Sequence, residues 1–239
     1  MSLYCKVSKL NNGRRDFSLR KMNNITFKQY RVIDITILSI ILAISEGITT
    51  LATTRWFTAV PFVISTTLLF LCIGMMRWGA YSAVMAVIGG AVFVFASGAD
   101  AKRCVIYIIG NLFALIALVF IRLIGNNRLR KSIPLLLTYA AITYLAVSLG
   151  RWLVSLVFEP SLKSLLAYVG VDVVTLLFTA VLLTLMRNVD GMLEDQREYI
   201  LRQAKERGAE AASDGDDLEA IIDDPDYLDG ILEDTDSED

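Results

Sequence analysis

The sequence predicts an all-α integral membrane protein with six transmembrane helices, and three observations lead to this prediction. Hydrophobic residues make up 55% of the 239-residue chain, compared with about 45–50% apolar residues in soluble domains. Six apolar segments each approach the length that crosses a bilayer as a helix. Lys and Arg are concentrated in the connections on one side of these segments, as in multi-pass membrane proteins.

The six apolar segments are joined by short connections and define a transmembrane domain over residues 32–186. About 20 apolar residues in a helix span roughly 30 Å of hydrocarbon. In chain order the segments are Val32–Thr53, Thr58–Met76, Gly79–Ser97, Cys104–Ile124, Ile133–Phe158 and Leu165–Met186. Residues 1–31 are polar and basic and lack the pattern of a cleaved signal peptide.

The charge distribution predicts the orientation of the bundle. With six spans, 18 Lys and Arg residues fall on the side of the two termini, and four fall on the opposite side. Basic residues stay in the cytoplasm when a membrane protein inserts. We therefore expect both termini to be cytoplasmic and the protein to lie in the cell membrane.

Two different segments follow the last span. Residues 187–208 have an apolar stripe at helical spacing among charged residues, which predicts a cytoplasmic amphipathic helix on the bilayer or on a partner. Residues 209–239 form an acidic tail, with 14 Asp and Glu and no Lys or Arg from residue 210 onward. Such a composition predicts disorder, although small apolar clusters leave open a short helix that folds on a partner.

Three ionisable residues lie well inside the predicted spans: Glu46, Arg151 and Asp172. Each is eight or nine residues from the outer end of its segment, which places it roughly 12–14 Å below the outer surface. Asn111 in the fourth segment falls at a similar depth. Ionisable groups inside a membrane are costly and indicate a functional site by default.

Aromatic and polar side chains accompany these charges and predict a small-molecule pocket in the outer half of the membrane. Tyr107, Trp152 and Tyr168 would supply apolar walls, while Arg55 and Trp56 lie at the first outer loop. In the alternative interpretation, Arg151 and Asp172 only pair with each other and lock two helices together.

Small residues recur every four positions on the first segment, at Ser39, Ala43 and Gly47. This pattern lets another helix approach closely, either inside the bundle or in a partner subunit. Other glycines, namely Gly89, Gly90, Gly110 and Gly170, indicate tight packing within the bundle.

Several classes of chemistry are excluded by the sequence. The chain has no His, which removes His-dependent nucleophiles, metal ligands and proton shuttles. Three Cys without a CxxC spacing do not predict a zinc site, and no phosphate-binding loop or dinucleotide fingerprint occurs. We therefore expect no enzyme activity, no metal, no cofactor and no nucleic-acid partner.

The sequence resembles the S components of energy-coupling factor (ECF) transporters over about residues 27–205. The resemblance rests on the six-span layout and on five strings, which are FKQYRVIDITILSIILAISE, TTRWF, MMRWGAYSAVMAVIGGAVFVFASGA, YIIGNLFALIALVFIRLIG and RNVDGMLEDQREYILR. It implies a subunit that captures a vitamin-like micronutrient at the outer face and delivers it with a membrane scaffold subunit and ATPase subunits.

The resemblance also implies roles for individual residues. Ser39, Ala43 and Gly47 would meet the scaffold subunit, and Trp56 would help to close a lid over the solute. Polar groups of the solute would bind to Glu46, Asn111, Arg151 and Asp172. Two other functions fit the residues alone, namely an ion-coupled small-solute transporter and a structural protein of an envelope complex.

Overall fold

A computed structural model describes residues 27–56, 64–158 and 163–213, and this part of the chain is helical without any strand. The chain divides into two units. The described residues of the first unit are 27–34, which begin the first helix, and 210–213, which end the last one. The second unit, Ile35–Ala209, contains the helical bundle and the candidate site.

The helices are numbered here in chain order. They are α1 (Phe27–Trp56), α2 (Thr67–Trp78), α3 (Ala83–Ser97), α4 (Ala101–Leu112), α5 (Ala117–Ile124), α6 (Asn126–Lys131), α7 (Ile133–Ser155), α8 (Lys163–Val171), α9 (Val173–Met186) and α10 (Gln196–Ser213). Short 3-10 turns join α2 to α3 at Gly79–Ser82 and α4 to α5 at Phe113–Ile116.

Five helical stretches in the described part of the chain are long and apolar enough to cross a membrane, as in a multi-pass membrane protein. They are Phe27–Arg55, Thr67–Ser97, Ala101–Ile124, Ile133–Ser155 and Tyr168–Met186. The all-helical, membrane-type architecture that the sequence predicts is therefore confirmed. The predicted count of six spans is not confirmed, because Thr67–Ser97 appears as one stretch of 31 residues.

This second stretch is folded back on itself rather than straight. Gly79 has φ +57° and ψ −125°, a conformation that glycine adopts easily and other residues do not. A Cβ on Gly74 would stand 3.2 Å from Cβ of Ser82, and one on Gly89 would stand 2.5 Å from Oγ1 of Thr67. Helices α2 and α3 are thus antiparallel neighbours, and glycine allows their close approach.

Helix α2 is shorter than the segment that the sequence predicts. It begins at Thr67, whereas the predicted segment begins at Thr58, which lies outside the described residues. Ile64–Thr66 is described and is not helical. Twelve residues of helix are about 18 Å long, so α2 covers only part of the roughly 30 Å hydrocarbon thickness.

Helix α7 is the centre of the bundle, because α2, α4, α5, α6, α8 and α9 all contact it. Its side chains Leu136, Tyr139 and Ala140 are fully buried and belong to the main apolar core. The Tyr139 hydroxyl donates a 3.0 Å hydrogen bond to the carbonyl oxygen of Cys72 in α2. This bond satisfies the buried polar atom of the tyrosine.

Helix α1 lies at the periphery and attaches through one narrow stripe. Leu38, Leu42, Glu46 and Thr50, spaced four residues apart, are buried. The opposite face exposes branched apolar side chains, which are Ile37, Ile40, Ile41, Ile44, Ile48 and Leu51. An apolar exposed face of this kind suits contact with lipid or with another membrane protein.

The chain after the last span differs from the predicted helix over 187–208. Residues 187–195 form turns, and α10 extends from Gln196 to Ser213. Leu193 is 1% exposed and joins the main core, so this segment packs against the bundle. Residues 214–239, which make up most of the predicted tail, lie outside the described residues.

Candidate functional site

Arg151 on α7 is buried and contacts three side chains of the bundle. Its Nε and Nη2 donate hydrogen bonds of 3.1 and 2.9 Å to Oδ1 of Asn111 on α4. Its Nη1 forms an ion pair with Oδ2 of Asp172, and its guanidinium carbon lies 4.5 Å from the centroid of the Tyr107 ring. The guanidinium therefore combines a charge partner, an amide partner and a cation–π contact.

Two glycines bring α4 and α7 close enough for this arrangement. A Cβ on Gly110 would stand 2.5 Å from Cγ of Arg151, and one on Gly150 would stand 2.5 Å from Cβ of Phe113. Neither position has room for a side chain. The predicted tight packing is confirmed for Gly89, Gly90 and Gly110, but it is wrong for Gly170, where no atom lies within 4 Å.

Asp172 occupies a break between two helices. Helix α8 ends at Val171 and α9 begins at Val173. Beside the break, the Tyr144 hydroxyl of α7 donates a hydrogen bond to the carbonyl oxygen of Val169. A side chain that hydrogen-bonds a helix carbonyl is a known cause of a kink. The break lets the Asp172 carboxylate meet Arg151.

Glu46 caps the beginning of α2, a contact that the sequence does not predict. Its Oε2 accepts hydrogen bonds from the backbone N–H groups of Thr66 and Thr67, at 2.7 and 2.9 Å. The hydroxyls of Ser65 and Thr66 donate to the same carboxylate at 2.9–3.0 Å. A carboxylate at a helix N-terminus stabilises the unpaired N–H groups and the helix dipole.

The depth of Glu46 matches the length of α2. A helix of about 18 Å ends roughly 12 Å short of a 30 Å hydrocarbon core, and the sequence places Glu46 roughly 12–14 Å below the outer surface. The carboxylate thus supplies acceptors to backbone N–H groups of residues that the bundle buries, since Thr66 and Thr67 are 5% and 3% exposed. Glu46 is 0% exposed.

The Glu46 cap and the Arg151 group border the same small cavity. Ser65 links them, because its hydroxyl donates to Glu46 and its backbone N–H donates a 3.1 Å hydrogen bond to Oγ1 of Thr175 on α9. The cavity is lined by Ser65, Thr67, Leu68, Leu71, Asn111, Tyr144, Val147, Arg151, Asp172 and Thr175. Its free volume of about 10 Å³ is the room that one water molecule needs.

The structure brings together only part of the predicted site. Arg151 contacts both Asn111 and Asp172. The Tyr107 ring lies against the Arg151 guanidinium, and its centroid is 4.4 Å from the centroid of the Phe93 ring. Trp152 and Tyr168 are half-buried on α7 and α8, while Arg55 is exposed in the last turn of α1. Trp56 ends α1, but its side chain lies outside the described residues, as does all of Phe57.

The small-residue stripe of α1 faces the bundle in part. Ser39 is 6% exposed, and a Cβ on Gly47 would stand 3.8 Å from Cγ1 of Val92 in α3. Ala43 between them is half-buried. This geometry favours internal packing over the partner contact that the resemblance implies, and the freely exposed face of α1 is the isoleucine face.

Three site residues are absent from the sequence prediction, namely Ser65, Thr66 and Thr67. The run Ser65–Thr67 contains three hydroxyl residues at a helix start, which is a recognisable capping pattern. The apolar segment that the sequence predicts includes this run, because it begins upstream at Thr58. The polar spacing of Tyr168, Asp172 and Thr175 on one helical face does include Thr175.

A second polar cluster lies at the opposite end of the bundle. The Glu194 side chain is 9% exposed; it pairs with Arg130 on α6 and accepts a 2.8 Å hydrogen bond from Nη2 of Arg202 on α10. Arg77 in the last turn of α2 donates a 2.7 Å hydrogen bond to the carbonyl oxygen of Gly191. These contacts join three interhelical connections at the predicted cytoplasmic end of the bundle. A cavity of about 140 Å³ lies beside Glu194.

In the part of the chain that the structure describes, no group of three or more metal-ligating side chains occurs. Comparisons with protein-family models, with curated proteins and with solved structures find no match for this chain.

Proposed function

We propose that this protein is the solute-capture subunit of an ECF-type importer, a six-span protein of the cell membrane with both termini in the cytoplasm. One observation carries the proposal. Three helices direct an arginine, an aspartate and an asparagine at one small cavity inside the predicted membrane, and the aspartate lies at a helix break. Transporters build solute sites from interrupted helices of this kind.

The remaining features fit this function. The sequence contains no phosphate-binding loop, so uphill transport would depend on ATPase subunits that act through a scaffold subunit. The vitamin-like solute would enter from the outer side, where Arg55 and Trp56 end α1 next to the first loop. Because a solute pocket usually has 300–1,000 Å³, α8 would have to move outward on loading to enlarge the cavity of about 10 Å³.

Mass spectrometry of small molecules released from gently purified protein tests this function. We expect a stoichiometric solute from the wild-type protein and none from a double variant, Arg151→Met with Asp172→Leu. Thr138→Ala is the matched control on the same helix, because its exposed hydroxyl bonds only to the carbonyl oxygen of Pro134. Equal solute content in all three proteins would show that the solute does not bind in this cavity.

A second candidate function, a structural membrane protein, is favoured by the closure of the site. The charges of Arg151 and Asp172 neutralise each other, Glu46 has four donors, and the cavity between them holds no more than a water molecule. Under this function, the double variant would keep the full stability and assembly of the protein. No solute would be released from wild-type protein purified from cells grown in rich medium.

A further inference from the structure

We infer that the site recognises an uncharged, amide-like edge of its solute, with an N–H donor beside a carbonyl acceptor, rather than a cationic or anionic group. The inference rests on the proposed function and specifies the chemistry of the solute. It comes from the way in which each buried charge of the site is already matched by a group of the protein.

The first matched charge is that of Arg151. Its guanidinium pairs one-to-one with Asp172, so these two side chains contribute no net charge to the cavity. A buried pair of this kind resists separation, since removing one partner leaves an uncompensated charge in a medium of low dielectric constant. An anionic solute would have to displace Asp172 from Arg151, and a cationic solute would have to displace Arg151 from Asp172.

The second matched charge is that of Glu46. Two backbone N–H groups and two hydroxyls donate to its carboxylate. The N-terminus of α2 adds roughly half a positive charge at this point. The Glu46 carboxylate is therefore stabilised without a counterion and leaves little attraction for a cationic solute.

The side chains around the cavity keep both hydrogen-bond donors and hydrogen-bond acceptors that are not used within the described part of the chain. In the described part of the chain, Asp172 uses only Oδ2, which leaves Oδ1 as an acceptor. Arg151 commits three of its five N–H groups and keeps two as donors.

These uncommitted atoms match an amide edge. A carbonyl oxygen of the solute can accept from a free N–H of Arg151, and an N–H of the solute can donate to Oδ1 of Asp172. A buried polar group that finds its partner avoids a cost of about 1–3 kcal/mol. An ion of either sign would be buried in this small cavity without a counterion of its own, which is far more costly.

Three probes of the same shape test the inference on the purified full-length protein. Benzamide is neutral and has the amide edge, benzamidine is a cation at neutral pH, and benzoate is an anion. We expect benzamide to raise the Tm of the wild-type protein in a concentration-dependent way, while benzamidine and benzoate leave it unchanged. A larger shift with either ion, or no shift with benzamide, would overturn the inference.

Two charge variants sharpen this test. Asp172→Asn leaves Arg151 without its counterion, so benzoate should now raise the Tm; Arg151→Gln leaves Asp172 alone, so benzamidine should do so. Thr138→Ala should keep the preference of the wild-type protein for benzamide. Identical probe responses in all four proteins would show that the probes bind elsewhere and would also overturn the inference.

The result of the probe experiment can be distinguished from the result of the experiment that tests the proposed function. A charged solute released from the wild-type protein would support solute capture and refute the neutral edge. Stabilisation by benzamide without any co-purified solute would support the neutral edge and weaken the capture function.

Discussion

The Cα of Gly110 lies so close to Arg151 that a Cβ at Gly110 would stand 2.8 Å from the Arg151 Cα and 2.5 Å from its Cγ. The backbone of α7 cannot give way as a flexible side-chain end can. We therefore expect Gly110→Ala to separate α4 from α7 and to lower the free energy of unfolding by about 1–3 kcal/mol or more.

Thermal unfolding in detergent checks this expectation, with Gly170→Ala as the matched control. Gly170 is exposed in α8 with no atom within 4 Å of an added Cβ. Alanine there should be neutral or stabilising by about 0.5–1 kcal/mol, because it favours the helix. Similar Tm values for Gly110→Ala and the wild-type protein would contradict the tight crossing.

Glu46→Gln should destabilise the bundle, although it preserves the size of the side chain. The amide keeps one acceptor oxygen but turns an NH₂ group toward the N–H groups of Thr66 and Thr67. Buried donors without an acceptor cost about 1–3 kcal/mol. Thr49→Ala, which removes a hydroxyl that bonds only to carbonyls of its own helix, should change stability by less than about 0.5 kcal/mol.

Limited proteolysis of the first loop gives a second readout for Glu46. Cleavage near residue 64 should accelerate in Glu46→Gln but not in Thr49→Ala, because the cap holds Ser65–Thr67 against α1. Equal cleavage rates in the two variants would argue against the capping role.

The Arg151–Asp172 pair should give strongly non-additive stabilities. Arg151→Met and Asp172→Leu each leave a lone buried charge, and each should lower the free energy of unfolding by about 3–5 kcal/mol. The double variant should recover most of this loss. Unfolding curves of the four proteins complete the cycle, and additive losses would indicate that the two charges do not interact in the membrane.

These sites show how far the sequence alone could lead. Periodicity and hydropathy predict the helices and the membrane character, since both follow from local composition. The depth argument brings Asn111, Arg151 and Asp172 to one level, and they do meet. Depth cannot give rotation about the helix axis, so the contact of Glu46 with the start of α2 does not follow from the sequence.

Helix α2 illustrates a second limit. An apolar run does not reveal where a helix starts within it, because Thr and Ser are compatible with both a span and a cap. The contact between Glu46 and residues 19–21 positions further along the chain depends on tertiary packing. The same holds for residues 187–195, where a charged segment buries Leu193 and Glu194 instead of continuing a helix.

Glu194→Ala should loosen the predicted cytoplasmic end of the bundle. It leaves Arg130 and Arg202 without their shared carboxylate, and we expect a loss of about 1–3 kcal/mol. Trypsin should then cut faster at Arg197 and Arg202. Glu206→Ala is the control, because its contact with Arg202 is longer, at 3.9 Å, and more exposed.

The predicted orientation is tested by labelling with a membrane-impermeant thiol reagent in intact cells. In a Cys104→Ser background, Asp100→Cys should react from outside and Arg128→Cys should not, because basic residues of the connections mark the cytoplasmic side. Both positions are exposed. If residue 128 reacted from outside and residue 100 did not, the orientation would be the reverse of the predicted one.

The cap on α2 has a consequence for how the protein enters the membrane. A helix that starts within the hydrocarbon exposes several backbone N–H groups, and each unsatisfied group costs several kcal/mol there. We therefore expect α2 to reach its final depth only when α1 is present with Glu46 facing it. Insertion of the first three helices should proceed as one coupled event, and Glu46 variants should accumulate during biogenesis as partially inserted chains that membrane quality-control proteases remove.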